Sequence, residues 1–255
     1  MSVKSGGPQV KSRIQKLRSQ GSLKVVFSST APRLEGILVN TSGGLTSGDR
    51  MCVHAEVGDA AHLTLTTQAA ERAYRAETEC AEVTTQLTVG SRGCLHWLPQ
   101  ELILFDHAQL IRRLDVDLAI DARALIVEPL VFGRPAMGET VQNLLFRDRI
   151  SIRRAGLPLY LDALSFKGNA QLTLQRPALG HGAGAMVSVI FVGPEAEGAL
   201  QRLRQNMPPL GGASLLAEDV LAIRLLADDS FDLRRSLVPI LDDLSGGTLP
   251  VSWRL

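Results

Sequence analysis

At 255 residues, with 45% apolar but only 4% aromatic side chains, the chain is long enough to bury an aliphatic core in one large domain or two small ones. A formal net charge of +1, with 27 Lys and Arg against 26 Asp and Glu, provides no long-range field for nucleic acid or an anionic membrane. No stretch reaches the roughly 20 apolar residues of a membrane span, and Met1 to Ser22 carries basic residues without an apolar signal core, so the sequence predicts a cytoplasmic protein with no membrane partner.

Residues 1–20 are polar and rich in Gly, Ser and Lys, which predicts a flexible N-terminal segment with Met1 to Pro8 disordered. Residues 21–255 read as a single β-rich domain. Alternation with period two marks strand after strand, at Leu23, Val25 and Phe27, at Leu63, Leu65 and Thr67, at Val83, Leu87 and Val89, and at Leu114, Val116, Leu118 and Ile120. Four segments superimpose, starting at Val57, Val89, Ile120 and Ile152, each reading as strand, tight turn with a small residue, then strand. Such a unit cannot bury its apolar face alone and must stack on the next. The C-terminal third changes character. After a glycine-rich loop at 180–184 and a strand from Met186 to Val192, helices are predicted near 194–206 and 229–244, separated by a strand-like stretch from Leu215 to Leu226. The fold class is therefore mainly β, a stacked β-hairpin or β-solenoid-like body with two α-helices in the C-terminal region.

The run from Asn40 to Arg50, with Gly43, Gly44 and Gly48, lacks the Lys-Ser/Thr ending of a phosphate-binding loop and has no helical pattern after it. It reads as a pair of β-turns tied down by Asp49. Glu101 and Asp106 bracket an apolar run at a spacing that would suit a general acid–base pair, if they converge. Glu128 sits inside an apolar strand, where a carboxylate needs a partner; Arg134 is a candidate. Cys52-Val53-His54 and Cys94-Leu95-His96 each place a thiol and an imidazole on one strand face, but without a second cluster at zinc-site spacing. The cysteines, with Cys80, are odd in number and without CxxC spacing, and read as free thiols.

Four blocks taken together resemble the UreD (UreH) family of urease accessory proteins: Val39 to Asp49, Leu65 to Arg75, Trp97 to Asp106, and Gly133-Arg134-Pro135-Ala136-Met137-Gly138-Glu139. The likeness runs from about Arg13 to the end of the chain. Ser47 departs from it, standing where the family commonly has glycine; a positive φ there would cost serine about 1 kcal/mol. The resemblance implies a non-enzymatic scaffold that binds apo-urease and recruits the UreF and UreG partners for nickel insertion. It implies no tightly bound cofactor, only transient nickel guided along an internal channel by Asp49 and Glu128, and by Glu139 and Asp162. Two other classes remain open: a β-solenoid adaptor with no metal role, and a hydrolase using Glu101 with Asp106 or Glu128 with Glu139.

Overall fold

The computed structural model describes residues 1–6 and 12–254, and of Ala136 the backbone alone. Its strands in chain order are β1 (Ser2–Lys4), β2 (Arg13–Lys16), β3 (Leu23–Phe27), β4 (Glu35–Asn40), β5 (Arg50–Val57), β6 (His62–Thr67), β7 (Glu71–Ala73), β8 (Ala81–Val89) and β9 (Cys94–Leu98). Then come β10 (Leu102–Leu104), β11 (Gln109–Leu118), β12 (Arg123–Phe132), β13 (Leu144–Arg154), β14 (Leu157–Gly168) and the short helix α1 (Ala170–Leu174). The chain closes with β15 (Ala185–Val192), α2 (Ala196–Arg204), β16 (Gly211–Ala217), β17 (Val220–Ala227) and α3 (Ser230–Leu244).

Two sheets form the body. The first has the order β14-β13-β11-β8-β5-β1-β2, the second β16-β17-β15-β12-β9-β6-β4-β3. β5, β8, β11 and β13 are parallel neighbours, and so are β4, β6, β9 and β12. Successive strands of one repeat therefore enter opposite sheets and pair with the next repeat, which is how a solenoid buries its faces. The connections 58–61, 90–93 and 119–122 are four residues each and lie on one another. Ser91 N donates to Asp59 Oδ1 at 2.9 Å, and Arg92 N to Asp121 Oδ1 at 3.0 Å.

The first two repeat copies align as the sequence predicts, Val57 opposite Val89. In the third it is Leu118, not Ile120, that pairs with Val89, and Ile120 lies exposed in the turn. A two-residue slip keeps each side chain on its own face, so the inward and outward assignments survive it. The fourth copy is a true hairpin: β13 and β14 are antiparallel across Ala155-Gly156, where both residues take positive φ.

The N-terminal segment predicted to be flexible contributes β1 and β2 instead. Val3 is 1% exposed and packs into the core between the sheets, while its carbonyl accepts from Gly58 N at 2.9 Å. Composition conceals this, because one apolar residue suffices to seat a three-residue strand. The predicted disorder at Gly7 and Pro8 lies outside the described residues.

Both predicted helices form. The apolar faces of α2 and α3, among them Leu200, Leu203, Leu233, Leu237 and Leu241, cover the outer face of the second sheet. Asp229 caps α3, accepting from Asp232 N at 2.8 Å. The strand-like stretch is the hairpin β16–β17. Helix α1 has no counterpart in the periodicity, since five residues are too few to show one; Asn169 caps it by accepting from Leu172 N. Among the described residues no helix is long and apolar enough to cross a membrane.

Candidate functional site

The space between the sheets holds two apolar cores. One contains Leu114, Ile126, Ile150 and Ile190, the other Leu110, Leu130 and Phe146. Between them runs a polar seam built by strand alternation. On β11 the inward positions Leu110 and Leu114 flank Arg112; on β13 Phe146 and Ile150 flank Asp148; on β12 Ile126 and Leu130 flank Glu128. Arg112 and Asp148 are register partners on adjacent strands, and so are Glu128 and Ser188, then Ser188 and Arg224.

Arg112 is shared between two carboxylates. Its Nε and Nη2 bind Asp148 at 2.9 and 2.6 Å in a bidentate pair, and its Nη1 meets Glu128 Oε2 at 2.5 Å. Trp97 Nε1 donates to Glu128 Oε1 at 2.7 Å. Beyond them Asp162 pairs with Arg224 at 2.5 Å and lies within reach of the Tyr160 and Ser188 hydroxyls. Ionised, these three carboxylates and two guanidiniums leave one negative charge inside the body. Burial pushes the Glu128 carboxyl up, against the opposing pull of Arg112 and with a further push from Asp148. Burial also acts to lower Arg112, but its two carboxylates outweigh that and hold it charged.

Glu128 walls two spaces. On one side is a cavity of about 270 Å³, lined also by Arg112, Trp97, Thr85, Gln100 and Glu71. On the other is a narrow gap that Glu128 shares with Asp148, Asp162 and Arg224. Glu71 accepts from Asn40 Nδ2 at 3.0 Å, and its carboxyl is also pushed up by burial.

Of the four carboxylates singled out by resemblance, two meet here, Glu128 and Asp162. Asp49 is a turn clamp, accepting from Thr46 N at 2.8 Å, and Glu139 grips Arg134 at 2.8 Å. Glu128 thus takes Arg112 as its partner, while Arg134 belongs to Glu139. The positive φ of the Asp49 turn falls on Gly48, not on Ser47, whose hydroxyl accepts from Glu77 N at 2.7 Å. Glu101 and Asp106 do not converge: Glu101 binds Arg234 at 3.0 Å, and Asp106 accepts from Gln142 N and Asn143 N. Arg112 and Asp148 escaped the sequence reading, although the alternation of Leu110, Leu114 and Val116 already turns Arg112 inward.

Gly44 leaves room for Tyr74 to pack beside the cavity-lining residues Gly43 and Leu45. A Cβ there would stand 2.2 Å from Tyr74 Cε2 and 2.8 Å from the Arg72 carbonyl. Gly44→Ala is expected to cost about 1–3 kcal/mol in a denaturant melt. At Gly43 a Cβ meets open space and only the φ of 80° opposes it, so Gly43→Ala should cost less.

The architecture defines a two-sheet β-solenoid with a helical layer on one outer face and a charged seam between its sheets. The family model described as UreD urease accessory protein matches residues 2–250, and the chain belongs to that family. It is 49% identical over 245 residues to the urease accessory protein UreD of Roseobacter denitrificans, covering 96% of this chain and 90% of that one. It is 50% identical over 248 residues to that of a Ruegeria species (94% and 84%), and 40% identical over 260 residues to that of Sinorhizobium medicae (99% and 93%).

Proposed function

We propose that this chain is a scaffold in urease maturation that binds apo-urease, recruits the UreF and UreG accessory proteins, and passes nickel through its interior without catalysing a reaction itself. Family membership supports the maturation role. One observation carries the nickel path: a buried seam in which carboxylates outnumber guanidiniums, set in the wall of a cavity. Buried negative charge attracts a divalent ion, and oxygen ligands release it more readily than a closed thiolate site. In this reading Glu128 and Asp162 touch the ion. Asp49 and Glu139 act as positioning residues that hold the Thr46 and Arg134 turns.

The adaptor alternative also has an observation in its favour, since each seam carboxylate already has a protein partner. Glu128→Gln separates the two. It removes the charge and keeps an acceptor for Trp97, while the acceptor for Arg112 Nη1 is lost. On the channel reading, urease co-expressed with this variant and the other accessory proteins contains several-fold less nickel although the complex still assembles; on the adaptor reading nickel content is unchanged.

A further inference from the structure

On the outer face of the second sheet, opposite the seam, β6 and β9 bring His62 beside Cys94 and carry His96 two residues further along. The odd-numbered residues of these strands, Leu63, Leu65, Leu95 and Trp97, fill the core between the sheets, so this trio faces away from it. One ring nitrogen from each histidine and Cys94 Sγ all lie within 4.8 Å of one another. Cys94 Sγ is 3.8 Å from His96 Nε2, and the two imidazoles meet edge to face with centroids 5.0 Å apart. His96 is 5% exposed, and its Nδ1 is buried with no hydrogen-bond partner among the described residues. Buried polar atoms are ordinarily satisfied, so Nδ1, unlike the Nε2 beside Cys94, is left for a group that the described residues do not supply. The trio opens on a cavity of about 380 Å³ lined also by Arg33, Arg123, Glu195 and Ser245.

We propose that His62, Cys94 and His96 form a binding site for a soft divalent transition-metal ion of the zinc or nickel class, its fourth position open to solvent or an anion. Two imidazoles and one thiolate are a donor set that oxygen-preferring magnesium and calcium do not favour. On binding, the Cys94 S–H proton passes to solvent and the sulfur lone pair forms the metal–sulfur bond.

The flanking arginines shape the site. Arg33 Nη1 lies 3.1 Å from both ring nitrogens of His62, but the side chain is exposed and free to swing aside. Arg33 and Arg123 repel any cation held by charge alone, so an ion must be retained by bonds to sulfur and nitrogen, and the same guanidiniums favour an anionic fourth ligand. Arg123 is itself paired with Glu195.

The site does not rest on the nickel path and is tested apart from it. The purified full chain, stripped of metal, is titrated with Co(II) alone and then with Zn(II). One Co(II) per chain is expected, with a near-ultraviolet sulfur-to-metal charge-transfer band that Zn(II) abolishes. Cys94→Ser should remove the band, and His62→Gln should weaken affinity about tenfold or more. Both substitutions are small, and an unchanged thermal melt confirms that the fold is kept. Glu128→Gln should leave the band intact. Absence of the band from the unmodified chain, or its persistence in Cys94→Ser, overturns the proposal.

Discussion

Arg112→Met is expected to lower the unfolding free energy by about 3–5 kcal/mol, because it strands two buried carboxylates without their counter-charge. Glu128 and Asp148 are 5% and 8% exposed, so water entering the adjoining cavity replaces the guanidinium only in part. Glu128→Gln is expected to change stability by about 1 kcal/mol or less, because the acceptor lost to Arg112 offsets the relief of no longer burying a charge. That variant keeps the bidentate Arg112–Asp148 pair and removes the carboxylate that Arg112 has to share. The two outcomes differ severalfold in size, and a denaturant melt of both proteins distinguishes them. If Arg112→Met were nearly neutral, the seam would be solvated and the electrostatic account of it would fail.

The same logic sets a pH dependence. Glu128 is raised in the folded protein above its ordinary value of 4.5, so the folded state binds more protons than the unfolded one between those two values. Its contribution to stability is fully present below about 4.5 and is lost as pH rises through the folded value. The stability of Glu128→Gln relative to the unmodified chain should therefore grow as pH climbs from about 4.5, then level off. Melts at a series of pH values would show a flat difference if Glu128 were not raised.

Trp253→Ala should be comparably severe, at about 3–5 kcal/mol for a large aromatic ring lost from a closed core. Trp253 is 1% exposed, and its Nε1 donates to the Leu98 carbonyl at 2.9 Å. Arg234 lies over the ring with its Cζ 5.0 Å from the centroid, and the same guanidinium binds the Trp253 carbonyl at 3.0 Å, Gln100 at 2.6 Å and Glu101 at 3.0 Å. This network ties the C-terminal segment and α3 to the start of the loop that follows β9. Hydrogen exchange should accordingly quicken in α3 as well as around residue 253. Loss of protection confined to the last few residues would contradict the coupling.

Strand alternation made most of the body legible, because a half-buried sheet writes its faces into the sequence at period two. The four-residue turns kept the repeat detectable as far as β12. It failed at Ile120, where an apolar residue had run past its strand into the turn, and at the fourth copy, where a hairpin replaces an arch. In the site, Glu128 stood out because a carboxylate interrupts an apolar strand. Arg112 was harder to find, since Arg113 beside it and Asp115 and Asp117 after it make that strand look polar. Glu101 is a candidate acid–base group in the sequence, yet with Gln100 it anchors a segment more than 130 residues away, a long-range pairing that no local pattern encodes. Nothing adjacent in the sequence marks His62 for the same reason: its companions lie one whole repeat further along the chain and meet it only through parallel register.

In the function proposed above, this chain serves urease maturation and its interior seam carries the nickel. The most direct test co-expresses the urease subunits and the other accessory proteins with the unmodified chain, with Glu128→Gln, or without it, and reads urease nickel and activity together with the assembled complex. The account predicts background nickel and activity without the chain, and an assembled but nickel-poor urease with Glu128→Gln. Full nickel loading and activity without the chain would contradict the maturation role, and full loading with Glu128→Gln would contradict the path through the seam.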